Sequence, residues 1–258
     1  MRKESLPADI AIRMEKVSKT FRVRQYPSRT IREKIFSLLS PNPVKKIEAV
    51  KPLSLEIRKG EFFGIVGRNG SGKTTLMNIM SQVYLPDKGG QAQINGKYMK
   101  LSLGLGFNNE LTARQNVYIN ASLLGLSFRE IGRRFSEIIA FAELQDFVDT
   151  PVKYYSRGMK TRLGFAIALH ARAEIFLLDE VFGGVGDISF IQKAAKAFKQ
   201  SIVDGKTVVL ITHSTETIQS HCTRAMLMEK GEALAIGRPK DIVNAYQYLV
   251  NVKAPEKS

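Results

Sequence analysis

The chain is short of negative charge, of cysteine and of long apolar runs. Its 258 residues hold 39 Lys and Arg against 24 Asp and Glu, a formal net charge of +15. The imbalance is uneven: residues 1–60 hold 15 basic and 6 acidic side chains and so carry +9 of it. Such an excess fits an anionic partner, either nucleic acid or the anionic face of a membrane, and it equally fits a well-solvated surface around one small anion. Cys222 is the only cysteine, which excludes an internal disulfide and fits a reducing compartment. No apolar run approaches the roughly 20 residues of a membrane span. Residues 1–7 contain no apolar stretch, so no signal peptide is expected. Internal repeats, low-complexity tracts and sustained heptads are also missing. What remains is a globular composition, 44% hydrophobic and 24% charged, long enough for one large α/β domain or two small ones with a full core.

Against that background one run carries most of the information. Gly67-Arg68-Asn69-Gly70-Ser71-Gly72-Lys73-Thr74-Thr75 fits G-x-x-x-x-G-K-[ST], the phosphate-cradling loop. The largely apolar residues 61–66 before it have strand length, and residues 75–80 after it read as a helix, which is the context the motif needs. Glycines let backbone N–H groups close on phosphate oxygens, and the helix start adds partial positive charge. Lys73 would reach the β- and γ-phosphates of a nucleotide, and Thr74 would place its hydroxyl on Mg²⁺.

Residues 10–17 and 53–57 alternate as strands do. Residues 175–178 and 207–211 are continuous apolar runs, as expected of buried parallel strands. Helical patterns at 157–171, 188–203 and 239–249 alternate with them. The expected fold is therefore α/β, an open sheet covered on both faces. Residues 110–165 contain no convincing strand and read as consecutive helices, the second with Ile131, Phe135, Ile138, Ile139 and Ala142 on one face. Residues 22–50 interrupt the two N-terminal strands. Within them Ile31, Ile35, Leu38 and Leu39 share one face of a short helix, 30–39, and Arg29, Arg32 and Lys34 mark the other. Such a stripe either packs on its own domain or lies on a membrane surface.

Three further positions complete a nucleotide site. Asp179-Glu180 ends the apolar strand 175–178, a costly place for paired carboxylates unless a cation or chemistry uses them. Asp179 can hold Mg²⁺, directly or through water, and Glu180 can orient or deprotonate the attacking water. His213 follows the run 207–211, at another strand tip facing the ligand crevice, where it could contact the γ-phosphate. Ser156 precedes a helix rich in alanine and leucine and is a candidate N-cap; with the N–H groups near Gly158 it forms a second anion site.

In this order the elements resemble the nucleotide-binding subunit of ATP-binding-cassette (ABC) transporters over nearly the whole chain. The resemblance implies a phosphate-loop ATPase fold of RecA-like core, N-terminal antiparallel β subdomain and inserted helical subdomain. The core with its β subdomain falls in 1–103 and 166–258, the helical subdomain in 104–165, and an insertion with an amphipathic helix in 22–50. It implies ATP and Mg²⁺ as ligands and a homodimer that sandwiches two ATP molecules head to tail. Ser156 and Gly158 of one copy would then act on the nucleotide held by residues 67–75 of the other, and Asp187 in Val185-Gly186-Asp187 would lie in the dimer-contact loop.

Three departures narrow the likeness. The signature reads Tyr155-Ser156-Arg157-Gly158-Met159, the stretch after Glu180 reads Val181-Phe182-Gly183-Gly184-Val185-Gly186-Asp187, and the usual glutamine loop reads Gly104-Leu105-Gly106-Phe107-Asn108-Asn109-Glu110. All three are similar to the ATPases of polysaccharide exporters that move O-antigen, capsular polysaccharide and teichoic acid. That group implies an integral-membrane permease encoded separately and a place on the cytoplasmic face of the inner or plasma membrane. It leaves no role for nucleic acid, and the insertion suggests contact with the anionic membrane surface. Phe21 matches the ring that stacks on adenine, with Tyr26 as its rival, and Asn108 or Asn109 stands in for the missing glutamine. A C-terminal carbohydrate-binding domain, present in some O-antigen exporters, is expected to be absent or encoded elsewhere. The rival readings are a soluble cassette ATPase acting on nucleic acid or ribosomes, and a cassette for a different cargo.

Overall fold

Apolar side chains at every position of a strand need cover on both sheet faces, and the topology supplies it. In a computed structural model of the chain the described residues are 6–24, 44–102, 106–170, 173–179 and 205–252, with 190, 193, 196, 197 and 200 between the last two stretches. Among them the elements run β1 (Ile10–Arg24), β2 (Val44–Arg58), β3 (Phe62–Gly67), α1 (Lys73–Met80), β4 (Gln91–Ile94) and β5 (Tyr98–Ser102). The helices α2 (Ala113–Leu123), α3 (Phe128–Ala142) and α4 (Arg157–Leu169) follow. The chain continues through β6 (Ile175–Asp179), β7 (Thr207–Ile211), α5 (Thr215–His221), β8 (Arg224–Glu229), β9 (Glu232–Gly237) and α6 (Pro239–Val252).

Six strands form one sheet in the order β5-β6-β7-β3-β8-β9, parallel except for β9. A second, antiparallel sheet has the order β2-β1-β4. Alternate residues of the central strands enter different cores. Phe63, Ile65, Leu177, Val209 and Ile211 join Leu76 and Met77 of α1 and Ile12, Met14 and Ile57 of the antiparallel sheet. Phe62, Val66, Phe176, Leu178, Val208 and Leu210 join Phe165 of α4, Ile218 of α5 and Ile242 of α6. A third cluster holds the helical unit together, with Val117, Ile131, Ile138, Ile139, Leu163 and Ile167 at its centre.

The helical unit starts its helices with strong local signals. Thr112 and Ser127 both form capping boxes, with Gln115 and Glu130 answering from the third helical position. Helix α4 belongs to two cores at once: Leu163, Ala166 and Ile167 face the helical unit, and Phe165 and Ala168 face the sheet.

The N-terminal strands run further than their alternation suggests. Pairing continues from Lys19↔Val50 to Arg24↔Val44, so β1 and β2 extend into the segment 22–50 as a two-stranded ribbon. Residues 44–48 on that ribbon are exposed, which is why apolar alternation does not mark them in the sequence. Tyr26, the helix expected at 30–39 and most of the helix expected at 188–203 lie outside the described residues.

Cys222 packs in the sheet core, 9% exposed, and burial pushes its thiol up to about 12. At pH 8 that leaves about one part in 10⁴ as the reactive thiolate. We expect a thiol reagent to label the native chain orders of magnitude more slowly than the chain in denaturant. Equal labelling rates would contradict this packing.

Candidate functional site

The phosphate loop is shaped by close backbone approaches. A Cβ on Gly67 would lie 2.1 Å from the Met228 carbonyl oxygen, and one on Gly72 would lie 2.1 Å from the Ala49 carbonyl oxygen. Gly70 and Gly72 have φ of 77° and 101°, a region that suits glycine. The loop is also bonded outward, since the Gly231 amide donates to the Ser71 carbonyl at 2.9 Å.

Its inner surface has the character of an anion site. Gly72 is the N-cap of α1, with no side-chain cap and no acidic residue in the first turn, so the helix start stays open to an outside acceptor. Lys73 is 5% exposed, and its Nζ donates to the carbonyls of Gly67 at 2.8 Å and Arg68 at 3.0 Å. The Ser71 hydroxyl is buried and finds no hydrogen-bond partner among the described residues. A buried hydroxyl in that state costs free energy that a ligand oxygen would offset. The loop opens on a cavity of about 680 Å³, the size of a nucleotide-scale pocket, lined by Asn69, Gly70, Ser71, Thr74, Thr75 and Lys230 among others.

The sheet order brings the other predicted residues to the same edge. β7 lies between β3 and β6, with Ile211 in register with Ile65 on one side and Asp179 on the other. His213 lies two residues beyond Ile211, as Gly67 lies two beyond Ile65, and its side chain is exposed. Asp179 is 8% exposed, and its Oδ1 accepts from the Thr74 hydroxyl at 3.4 Å. A hydroxyl and a single carboxylate beside a phosphate loop suit Mg²⁺, which takes few protein ligands and completes its shell with phosphates and water. Among the described residues no three His, Cys, Asp or Glu side chains gather into a protein-only metal cage. Glu180 and Asp187 lie outside the described residues.

Phe21 lies on β1 opposite Ile47, which lines the cavity, and its ring meets Tyr84 edge-on at 5.5 Å. Ser156 is the N-cap of α4, its hydroxyl accepting from the Met159 amide at 3.2 Å, with Gly158 in the first turn behind it. The preceding Tyr155 is 6% exposed and donates to the Phe147 carbonyl at 2.6 Å; burial, helped by the Asp149 charge, pushes its phenol up to about 12. It is a fixed neutral anchor for the turn that presents Ser156.

Both asparagines of the altered glutamine loop are engaged within the helical unit. Asn108 Oδ1 accepts from the Glu110 amide at 3.0 Å, and Asn109 Oδ1 accepts from Lys160 of α4 at 3.0 Å. Sequence reasoning missed Asn116, which is fully buried and donates to the carbonyls of Asn108, Leu111 and Thr112. Its signal was a polar residue on the apolar stripe of α2, beside Ala113, Val117 and Ala121. Also missed were Ile47, Glu48, Ala49 and Lys230, which reach the cavity from the second sheet and from a hairpin.

Known proteins agree with this geometry. The family model described as "ABC transporter" matches residues 50–183. The chain is 35% identical to an ABC transporter protein, AbcA, of Aeromonas salmonicida, over 94% of this chain and 77% of that protein. It is 36% identical to the teichoic acids export ATP-binding protein TagH of Lactococcus lactis over 96% of this chain, and spans about half, 53%, of that longer protein. It is 36% identical to the O-antigen export system ATP-binding protein RfbB of Klebsiella pneumoniae, over 79% of this chain and 82% of that protein. Among solved structures it is similar to a dimeric bacterial ABC transporter cassette, MJ0796, with TM-score 0.72 and 25% identity over 88% of this chain and 98% of that one. A post-hydrolysis dimer of the same cassette, bound to ADP and Pi, superimposes with TM-score 0.73 and shares the fold. With its phosphate loop, its strand-end Asp179 and its helical unit in this arrangement, the chain belongs to the ABC transporter family, as an ATP-binding and ATP-hydrolysing domain.

Proposed function

We propose that this chain is the ATPase of a transporter that exports a cell-surface polysaccharide, lipid-linked during export, from the cytoplasmic face of the inner or plasma membrane. The observation that carries the cargo assignment is the role of its relatives. Proteins of teichoic acid and O-antigen export match it at 36% identity, the first over 96% of its length. The naming of these relatives as ATP-binding proteins of an export system supports a separate integral-membrane permease.

In this reading residues 67–75 wrap the phosphates of ATP, and the buried Ser71 hydroxyl gains its acceptor there. Lys73 turns its ammonium from the loop carbonyls to the β- and γ-phosphates. Thr74 and Asp179 would hold Mg²⁺, which neutralises charge on the phosphate oxygens. Glu180, next in sequence to Asp179, orients and deprotonates the attacking water, and His213 holds the γ-phosphate side of the site. Phe21 stacks on adenine. Two copies close head to tail, so that Ser156 and Gly158 of one cap the nucleotide of the other, with Asp187 at the contact. The dimeric state of the related cassettes supports this. Closure moves the helical unit and the permease docked on it; hydrolysis reopens the dimer.

Lys73→Ala should lower steady-state phosphate release by on the order of 10²-fold or more; near wild-type turnover would undermine the loop assignment. Glu180→Gln should bind ATP normally, lose turnover by about 10²- to 10⁴-fold and elute as a dimer with Mg·ATP in size-exclusion chromatography. A monomer that still hydrolyses ATP would remove Glu180 from its role. In cells, Glu180→Gln should make the surface polysaccharide disappear and its lipid-linked form accumulate inside. Normal surface glycan would contradict the cargo assignment.

A further inference from the structure

The hairpin between β8 and β9 turns through two residues, Lys230 and Gly231, both at positive φ, 48° and 80°. Turns of this length and sign favour Asn, Asp or Gly at both positions, because other side chains crowd the backbone there. A lysine at the first position is a local cost. Among the described residues three other non-glycine residues have positive φ, namely Lys16, Gln82 and Glu143, and none of them lines the phosphate cavity.

Lys230 does line it. The turn is fixed from two sides, against the loop and against β2. The Gly231 amide donates to the Ser71 carbonyl at 2.9 Å, and the Gly231 carbonyl accepts from the Lys51 amide at 2.7 Å. Gly231 also lies close under β2, where an added Cβ would meet the Glu48 and Ala49 carbonyl oxygens at 3.0 and 3.2 Å. The turn therefore has little room to move, and the exposed Lys230 side chain starts from an anchored base at the cavity wall.

Charge gives that position a task. Glu48 lines the same cavity, and a carboxylate on the wall of a polyphosphate site repels its ligand unless a cation balances it. Lys73 lies deep, bonded to the loop carbonyls, and Lys51 is paired with Glu232 at 2.8 Å. Lys230 is the second lysine of the cavity lining, to which Glu48 also belongs.

We propose that Lys230 is a nucleotide-binding residue, a hairpin cation that contacts the polyphosphate of ATP in addition to the loop's own lysine. The proposal rests on the ATP reading of this site. Its electrostatic part is modest because the side chain is exposed.

The test uses the full-length chain with a fluorescent ATP analogue and unlabelled ATP as competitor, together with thermal unfolding in the absence of nucleotide. Lys230→Asn should leave the unliganded chain as stable or slightly more stable, because asparagine suits the turn. It should weaken ATP binding about fivefold at low salt, with a smaller loss at high salt. Lys230→Arg should bind ATP like wild type. Lys230→Asn that binds ATP as tightly as wild type would overturn the proposal. So would a fall in unliganded stability with unchanged affinity, which would make Lys230 a partner of Glu48 and nothing more. A wild-type chain that fails to bind ATP at all would instead overturn the ATP reading on which the proposal stands.

Discussion

The structure depends on backbone packing directly against backbone around one loop. Gly67 lies under the Met228 carbonyl and Gly72 under the Ala49 carbonyl, with distances that leave no room for a side chain. Gly231 bonds to the same loop through Ser71. Through these contacts the phosphate loop is held by β8, by β2 and by the β8–β9 hairpin, so both sheets are tied to it. A loop clamped this way can keep a buried serine hydroxyl and an uncapped helix start ready for a ligand instead of collapsing onto them. Preorganised donors of that kind stabilise phosphate charge without the cost of reordering.

Helix α4 carries the second consequence. It starts at Ser156 in the helical unit and ends in the core under the sheet, and its alternate faces belong to the two clusters. Phe165 stacks on Phe141 at 6.0 Å and meets Phe190 edge-on, so its sheet-facing side is tightly packed. Asn109 reaches its first turn through Lys160, and Tyr155 anchors the approach to Ser156. A shift at the altered glutamine loop would therefore be felt at the start of this helix. In the head-to-tail dimer we propose, that start is where the partner's nucleotide sits.

Much of this was legible in the sequence, and the reasons are physical. Continuous apolar runs at 175–178 and 207–211 read as strands buried on both faces, and both became central strands. The phosphate loop was legible because its chemistry is local: glycines, a lysine and a hydroxyl within nine residues. Edge elements were harder. Gln91-Ala92-Gln93-Ile94 pairs with β1 as β4, yet only one of its faces touches a core, and half its residues are polar. The ribbon at 44–48 reads Val-Lys-Lys-Ile-Glu, exposed at every position, and so has no burial pattern to read. Lys230 was illegible for a different reason. Its place in the cavity depends on a bond between Lys51 and Gly231, 180 positions apart. No window of sequence holds both partners.

The account's central claim is that this site drives a transporter embedded in a membrane. The most direct test is to purify the tagged chain from its native membranes in mild detergent and identify what accompanies it. A multi-span membrane protein in near-stoichiometric amount is the result predicted here. Recovery with only soluble proteins or ribosomal material, with the chain mostly in the cytosol, would contradict the transporter and leave an ATPase that works elsewhere.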